Sequence, residues 1–311
     1  MYLRVFSLFT LLTATAAVLP AQVIKGEWTL GRSGEPAKVR FSLQSSWDGD
    51  NHYSSTSDWN ASDLHGLDLA NTVRHDVRFT ISRDAGQIEC EGFLKDGEGA
   101  GLFTFNSDPR YTAQMAAAGF PGITADRQFA FALHDVSVAF AQEMKNLGIQ
   151  DLDAGKLIAF RIHGVTPDFV RSLRAAGVNA LAADRLIAFR IHGVSPDFVQ
   201  DLRAAGIDVT DADKLVAFRI HGVSPDFVRD LRAAGIDVTD ADKLVAFRIH
   251  GVSPDFVKDL QHLGYAHPDS DQLIALRIHG VTPEYIEGLR SHGMRDVTLD
   301  QLISLRIHGI N

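Results

Sequence analysis

Apolar and polar residues alternate through the first third of the chain, and beyond it the apolar positions recur at intervals of three and four. Alternation at Val39, Phe41 and Leu43, at Val77, Phe79 and Ile81, and at Ile88 and Cys90, with a further apolar run from Leu102 to Phe105, predicts strands. Turn signals at Asp84-Ala85-Gly86 and Asp96-Gly97 separate these runs and predict a small antiparallel sheet domain over residues 22–107. The stretch from Ser45 to Ser62 is rich in Ser, Asp, Asn and Trp and reads as a long exposed loop.

The later pattern repeats itself. Ser195 to Val223 and Ser224 to Val252 differ only at Gln200 against Arg229, which marks a recent duplication. Histidines fall every 29 residues at His134, His163, His192, His221, His250, His279 and His308. A helix-starting residue keeps the same step at Asp108, Ser137, Thr166, Ser195, Ser224, Ser253 and Thr282. Residues 108–311 therefore read as an α-solenoid of seven 29-residue helix-turn-helix units, and the whole chain as α+β.

Each unit carries punctuation for two helices. In the unit that begins at Ser224, the Ser hydroxyl is placed to cap, Pro225 suits the first helical position and Asp226 complements the positive end of the dipole. Gly235 supplies a left-handed stop, so helix A spans about Pro225 to Ala234. Helix B is expected to start at Thr239, with Asp242 completing a capping box, and to stop at Gly251. Helix A puts Phe227, Leu231 and Ala234 on one face, whereas Leu244, Val245, Phe247 and Ile249 make helix B apolar around most of its girth. That pattern assigns helix B to an inner, buried row. Helices this short are marginal alone and must be held by stacking on their neighbours. The first unit departs from the pattern, with Ala132 in place of Arg and Asp135 in place of Gly, as suits a unit that meets a different neighbour.

Residues 1–21 have the form of a secretory signal: Arg4, an apolar core from Val5 to Val18, and Leu19-Pro20-Ala21 before Gln22. The apolar run is short for a membrane span, so the expected product lies in the periplasm or is secreted, without stable membrane insertion. The formal net charge of −9 becomes −10 when Arg4 leaves with the signal, which argues against nucleic acid as a partner. Cys90 is the single cysteine, so no intramolecular disulfide can form, and its place in a strand suits a small core residue.

The segment from Phe79 to Phe105, FTISRDAGQIECEGFLKDGEGAGLFTF, together with repeats such as RIHGVTPDFVRSLRAAG from Arg161 to Gly177, resembles an uncharacterised bacterial exported family that joins a small β domain to such repeats. Similar segments occur with beta-lactam-sensor-type membrane metallopeptidases. The resemblance implies no established activity, and the peptidase motif and its membrane helices are missing from this sequence.

Two ladders could carry chemistry. One His per unit cannot assemble a zinc site, because stacked helices lie about 8 to 10 Å apart and a zinc ligand nitrogen must lie within about 2.1 Å of the ion. The histidines read as structural residues in the last turn of each helix B, with a ligand-facing or pH-sensing row as the alternative. Arg161, Arg190, Arg219, Arg248, Arg277 and Arg306, each two residues before a His, could present guanidinium groups to a carboxylate or phosphate. The alternative is an ion pair with Asp168, Asp197, Asp226, Asp255 or Glu284.

In the expected loop, Trp47, Tyr53 and Trp59 could stack on a sugar or peptide. Asp48, Asp50, Asn51, Asp58 and Asn60 offer oxygens but not the spacing of a calcium loop. No nucleophile elbow, zinc-protease pair or phosphate loop occurs, so no catalytic residue, metal or cofactor is expected. The leading expectation is a non-enzymatic interaction or scaffold protein that binds a protein or peptide on its repeats. The alternative is an envelope sensor that takes a cell-wall fragment or glycan at the aromatic residues.

Overall fold

The computed structural model describes residues 23–47, 51–179 and 181–310. The expected signal segment and Asp48, Gly49 and Asp50 lie outside the described residues. Six strands, β1 (Val23–Arg32), β2 (Lys38–Trp47), β3 (Asn51–Asn60), β4 (His75–Arg83), β5 (Gly86–Lys95) and β6 (Glu98–Ser107), form one antiparallel sheet in the order β3-β2-β1-β6-β5-β4. Helical repeats follow, giving the α+β architecture that the hydrophobic pattern predicts.

The two turn signals close hairpins. Arg83 faces Gly86 across the first. In the second, Asp96 at φ 52° and Gly97 at φ 79° supply the two positive dihedrals that a right-twisted hairpin requires. Ser45 to Ser62 does not form the expected loop: β2 and β3 pair from Lys38 opposite Asn60 to Trp47 opposite Asn51. The strand escaped the pattern because β3 is a sheet edge, where Ser54, Thr56 and Asp58 stay exposed and polar.

Trp28 of β1 is the centre of the sheet's core. It is 1% exposed, its ring lies 5.1 Å from Phe79 and 6.3 Å from Phe41, and its Nε1–H donates to the Glu91 carbonyl at 3.2 Å. A Cβ on Gly92 would come within 2.8 Å of the indole, so glycine there leaves the room that the ring fills.

Three helices belong to the same compact unit, which extends to Lys145: α1 (Pro109–Ala117), α2 (Ala125–Leu133) and α3 (Val138–Asn146). The Phe129 ring of α2 stacks 5.6 Å from Phe103 and lies 5.1 Å from Phe105. Gln128 donates to the carbonyls of Ala85 at 2.8 Å and Asp108 at 2.7 Å. The first repeat thus meets a sheet rather than another helix pair.

From Asn146 the second unit alternates two rows. The B row is α4 (Ala154–His163), α6 (Ala183–His192), α8 (Ala212–His221), α10 (Ala241–His250), α12 (Ser270–Ile278) and α14 (Leu299–Ile307). The A row is α5 (Pro167–Ala175), α7 (Pro196–Ala204), α9 (Pro225–Ala233), α11 (Pro254–His262) and α13 (Pro283–Ser291). Each helix packs on the next of its own row, and the B helices do so more closely than the A helices. Among the described residues no helix is long and apolar enough to cross a membrane.

Helix A forms as its punctuation predicts. Ser224 Oγ accepts from the Phe227 amide at 3.1 Å, and Gly235 takes φ 83° beyond the last turn. Helix B starts one residue later than expected: Asp240, not Thr239, is the cap. Its carboxylate accepts the amides of Asp242 at 2.8 Å and Lys243 at 3.0 Å, two orphan donors that one hydroxyl oxygen serves less well. Those bonds, led by the one from Lys243, hold the Asp240 pKa below the ordinary carboxylate value.

Candidate ligand-binding surface on the helical repeats

Helix B is buried on one face only, which corrects the expectation of an apolar girth wholly inside. Leu244 and Phe247, three residues apart, are 0% exposed, as are Leu215 and Phe218 one repeat earlier. Ile249 lies two residues beyond Phe247, about 200° around an α-helix, and is 56% exposed. Val245 and Ala246, on the same turn-to-turn face as Ile249, are only partly buried.

The same position repeats along the row: Ile162, Ile191, Ile220, Ile249, Ile278 and Ile307 are 55% to 58% exposed. An outward helix face normally carries polar residues. This one carries isoleucine on every B helix, a stripe that stacking of the repeats does not require. Helical spacing could have found it, because Ile249 falls off the seam set by Leu244 and Phe247.

The arginine ladder borders the stripe. The guanidinium of Arg190 lies 4.9 Å from the Phe169 ring, Arg219 4.6 Å from Phe198, Arg248 4.8 Å from Phe227 and Arg277 5.0 Å from Phe256. The Nε–H groups of Arg190, Arg248 and Arg277 donate to the carbonyls of His163, His221 and His250 at 3.2, 3.3 and 3.3 Å. Each such arginine therefore ties the C-terminus of one B helix, and the A helix after it, to the next repeat.

Three of the acids considered as arginine partners pair locally instead. Asp168 bridges to Arg171 at 2.7 Å, Asp255 to Lys258 at 3.6 Å, and Asp226 to Arg229. His163, His221 and His250 contribute their backbone carbonyls to these ties. His134, in the first unit, is half-buried, and that burial lowers its pKa from the ordinary value.

Two further ladders escaped the sequence reading. At the ends of the A helices, Arg174, Arg232, Gln261 and Arg290 donate to the carbonyls of Leu147, Ala205, Ala234 and Leu263, each 27 residues earlier. At the starts of the B helices, Lys214 pairs with Asp242 at 2.6 Å and Lys243 with Asp271 at 2.9 Å, while Lys156 meets Asp184. Exposed pairs of this kind stabilise by about 0 to 1 kcal/mol each and chiefly fix register. Both ladders join residues close to one repeat apart, so the period held the signal, but it does not say which side chains touch.

The aromatic residues of the sheet are engaged in packing. Tyr53 meets Phe129 edge-on at 5.4 Å, and Trp59 meets Phe41 edge-on at 5.8 Å while its Nε1–H donates to Ser57 Oγ at 2.9 Å. The Trp47 side chain lies outside the described residues. Burial raises the Cys90 thiol pKa well above its ordinary value, which keeps it protonated and inert as a nucleophile. Among the described residues no group of three metal-ligating side chains occurs. No family model matches the chain, and no curated protein matches it.

Proposed function

We propose that this chain is an exported, non-enzymatic scaffold of the envelope or its surroundings that binds a protein or peptide across the B row of its repeats. The exposed isoleucine stripe carries this reading. Soluble proteins rarely leave contiguous apolar patches larger than a few hundred Å² without using them. Six isoleucines at more than half exposure reach that order together. Covering each contributes about 1 kcal/mol, enough in sum for binding without any single deep pocket. The resemblance to segments found with sensor-type metallopeptidases fits a regulatory or receptor-associated scaffold, and the leading 21 residues fit export. A glycan has less to stack on, since Tyr53 and Trp59 already give ring contacts to Phe129 and Phe41.

A displayed random-peptide library selected on the full chain tests the reading. Selected peptides should lose at least ten-fold in affinity when Ile191→Ser, Ile220→Ser and Ile249→Ser are combined, with the melting temperature unchanged. Equal binding to the triple variant would remove the stripe as the docking surface.

A further inference from the structure

The stripe is bordered by a row of cations. The residue before each stripe isoleucine is arginine and the residue after it is histidine, as in Arg190-Ile191-His192, Arg219-Ile220-His221 and Arg248-Ile249-His250. Arg190, Arg219, Arg248 and Arg277 have no carboxylate in ion-pair range among the described residues, although acids are numerous and pair elsewhere along the array. The net charge of −9 repels a polyanion at long range, but evenly spaced, uncompensated guanidinium groups beside an apolar stripe make a locally positive row, complementary to a ligand that is itself both apolar and acidic.

These arginines are also held in place before any ligand arrives. The guanidinium lies over a phenylalanine ring, and the Nε–Nη2 edge faces the preceding repeat: Nη2 of Arg248 lies 2.9 Å from where a Cβ on Gly222 would be, and Nε 3.6 Å. A guanidinium has five N–H donors in a fixed fork, so the Nη1 end remains for a carboxylate. Little rotamer entropy is then lost on binding.

The repeat fixes the ligand's period. Stacked helices lie about 8 to 10 Å apart, and three residues of polyproline-II chain span about 9.3 Å while returning the same face. We infer that the occupant is an extended acidic and apolar polypeptide in which an apolar and an acidic residue recur every third position, one pair per repeat. Its apolar side chains lie on Ile191, Ile220 and Ile249, and its carboxylates on Arg190, Arg219 and Arg248. This rests on the reading of the stripe as a peptide-docking surface. An anionic bilayer would offer similar chemistry but has no period, whereas one Arg-Ile pair every 29 residues favours a chain that repeats at a matching step.

The charge test is made on the ligand, because the arginines also hold the repeats together. A fluorescent peptide of six Leu-Asp-Pro triplets is titrated against the full chain by anisotropy. Its controls are the same peptide with Lys for Asp, one of equal composition with the order scrambled so that neither Leu nor Asp recurs every third position, and vesicles of phosphatidylcholine with phosphatidylglycerol. The triplet should bind at least ten-fold tighter than either peptide control and lose that advantage in the Ile191→Ser, Ile220→Ser, Ile249→Ser variant, with no binding to vesicles. Equal binding of the three peptides, no binding of the triplet, or recruitment to vesicles would overturn the inference. Library peptides that need the stripe but lack acidic triplets would leave the docking reading standing and remove this one alone. If no library peptide needs the stripe, both fall.

Discussion

The guanidinium of Arg219 lies 4.6 Å from the centre of the Phe198 ring, which belongs to the A helix that precedes its own B helix. The same juxtaposition recurs at Arg190 over Phe169 and Arg248 over Phe227, so the ladder is a structural tie whether or not a ligand uses it. Arg219→Gln removes the charge and the planar fork, and should lower stability by about 1 kcal/mol in urea unfolding of the full chain. Arg219→Lys, which keeps the charge but not the planar fork, should fall between. Unchanged midpoints for both would show that the contact holds nothing together.

The tie also constrains the glycine beneath it. Gly222 has φ 73°, and a Cβ there would lie 2.9 Å from Nη2 of Arg248. Gly264 has φ 88° with nothing within 4 Å of its Cβ position. Gly264→Ala should therefore show only the left-handed backbone penalty, about 1 kcal/mol. Gly222→Ala should lose more, because the arginine must also shift. Equal losses in calorimetric melting would mean that the arginine moves aside freely.

The period, the two helices per unit and the helix A caps were legible because Ser-Pro-Asp and Gly encode helix ends locally, where an N-cap oxygen or a positive φ needs no distant partner. The helix B cap was misplaced by one residue, since Thr239 and Asp240 both offer a capping oxygen. The sheet was legible where alternation was apolar against polar, at Phe41, Phe79 and Cys90, went unread at β1, where Gly26 breaks the apolar alternation between Ile24 and Trp28, and was illegible at β3. There an edge position let Ser and Thr fill a strand that water satisfies. The candidate surface was half legible. Arg219 stood out by spacing, but its partner is a phenylalanine ring rather than Asp226, and helix content alone did not show that Ile220 faces water while Phe218 does not. Those distinctions come from packing against the neighbouring repeat, which composition does not specify.

Phe218 and Ile220, two residues apart on α8, should respond oppositely to truncation. Phe218 is 0% exposed and Ile220 56%. Phe218→Ala should destabilise by about 3 to 5 kcal/mol, since it empties a packed site. Ile220→Ala should stay within about 0.5 kcal/mol. In a linear array the Phe218 cavity weakens two neighbouring interfaces, so unfolding followed by hydrogen exchange should also separate the flanking repeats into distinct steps. A large loss from Ile220→Ala would mean that the stripe is packed against something in the free protein, and would undercut its assignment as a docking surface.

His134 connects the first unit to pH. Burial lowers its folded-state pKa, whereas the unfolded chain keeps the ordinary value of 6.5. The unfolded state therefore takes up a proton first on acidification. Stability should be level above about pH 6.5 and fall as the pH drops below it, flattening only once the folded protein also protonates. His134→Asn removes that difference between states. The stability gap between the native protein and this variant, measured in urea at about pH 7.5, 6.5 and 5.5, should shift against the native protein at the lowest pH. A gap that does not change with pH would show that the imidazole titrates alike in both states, and that His134 is solvated where the packing of α2 has it covered.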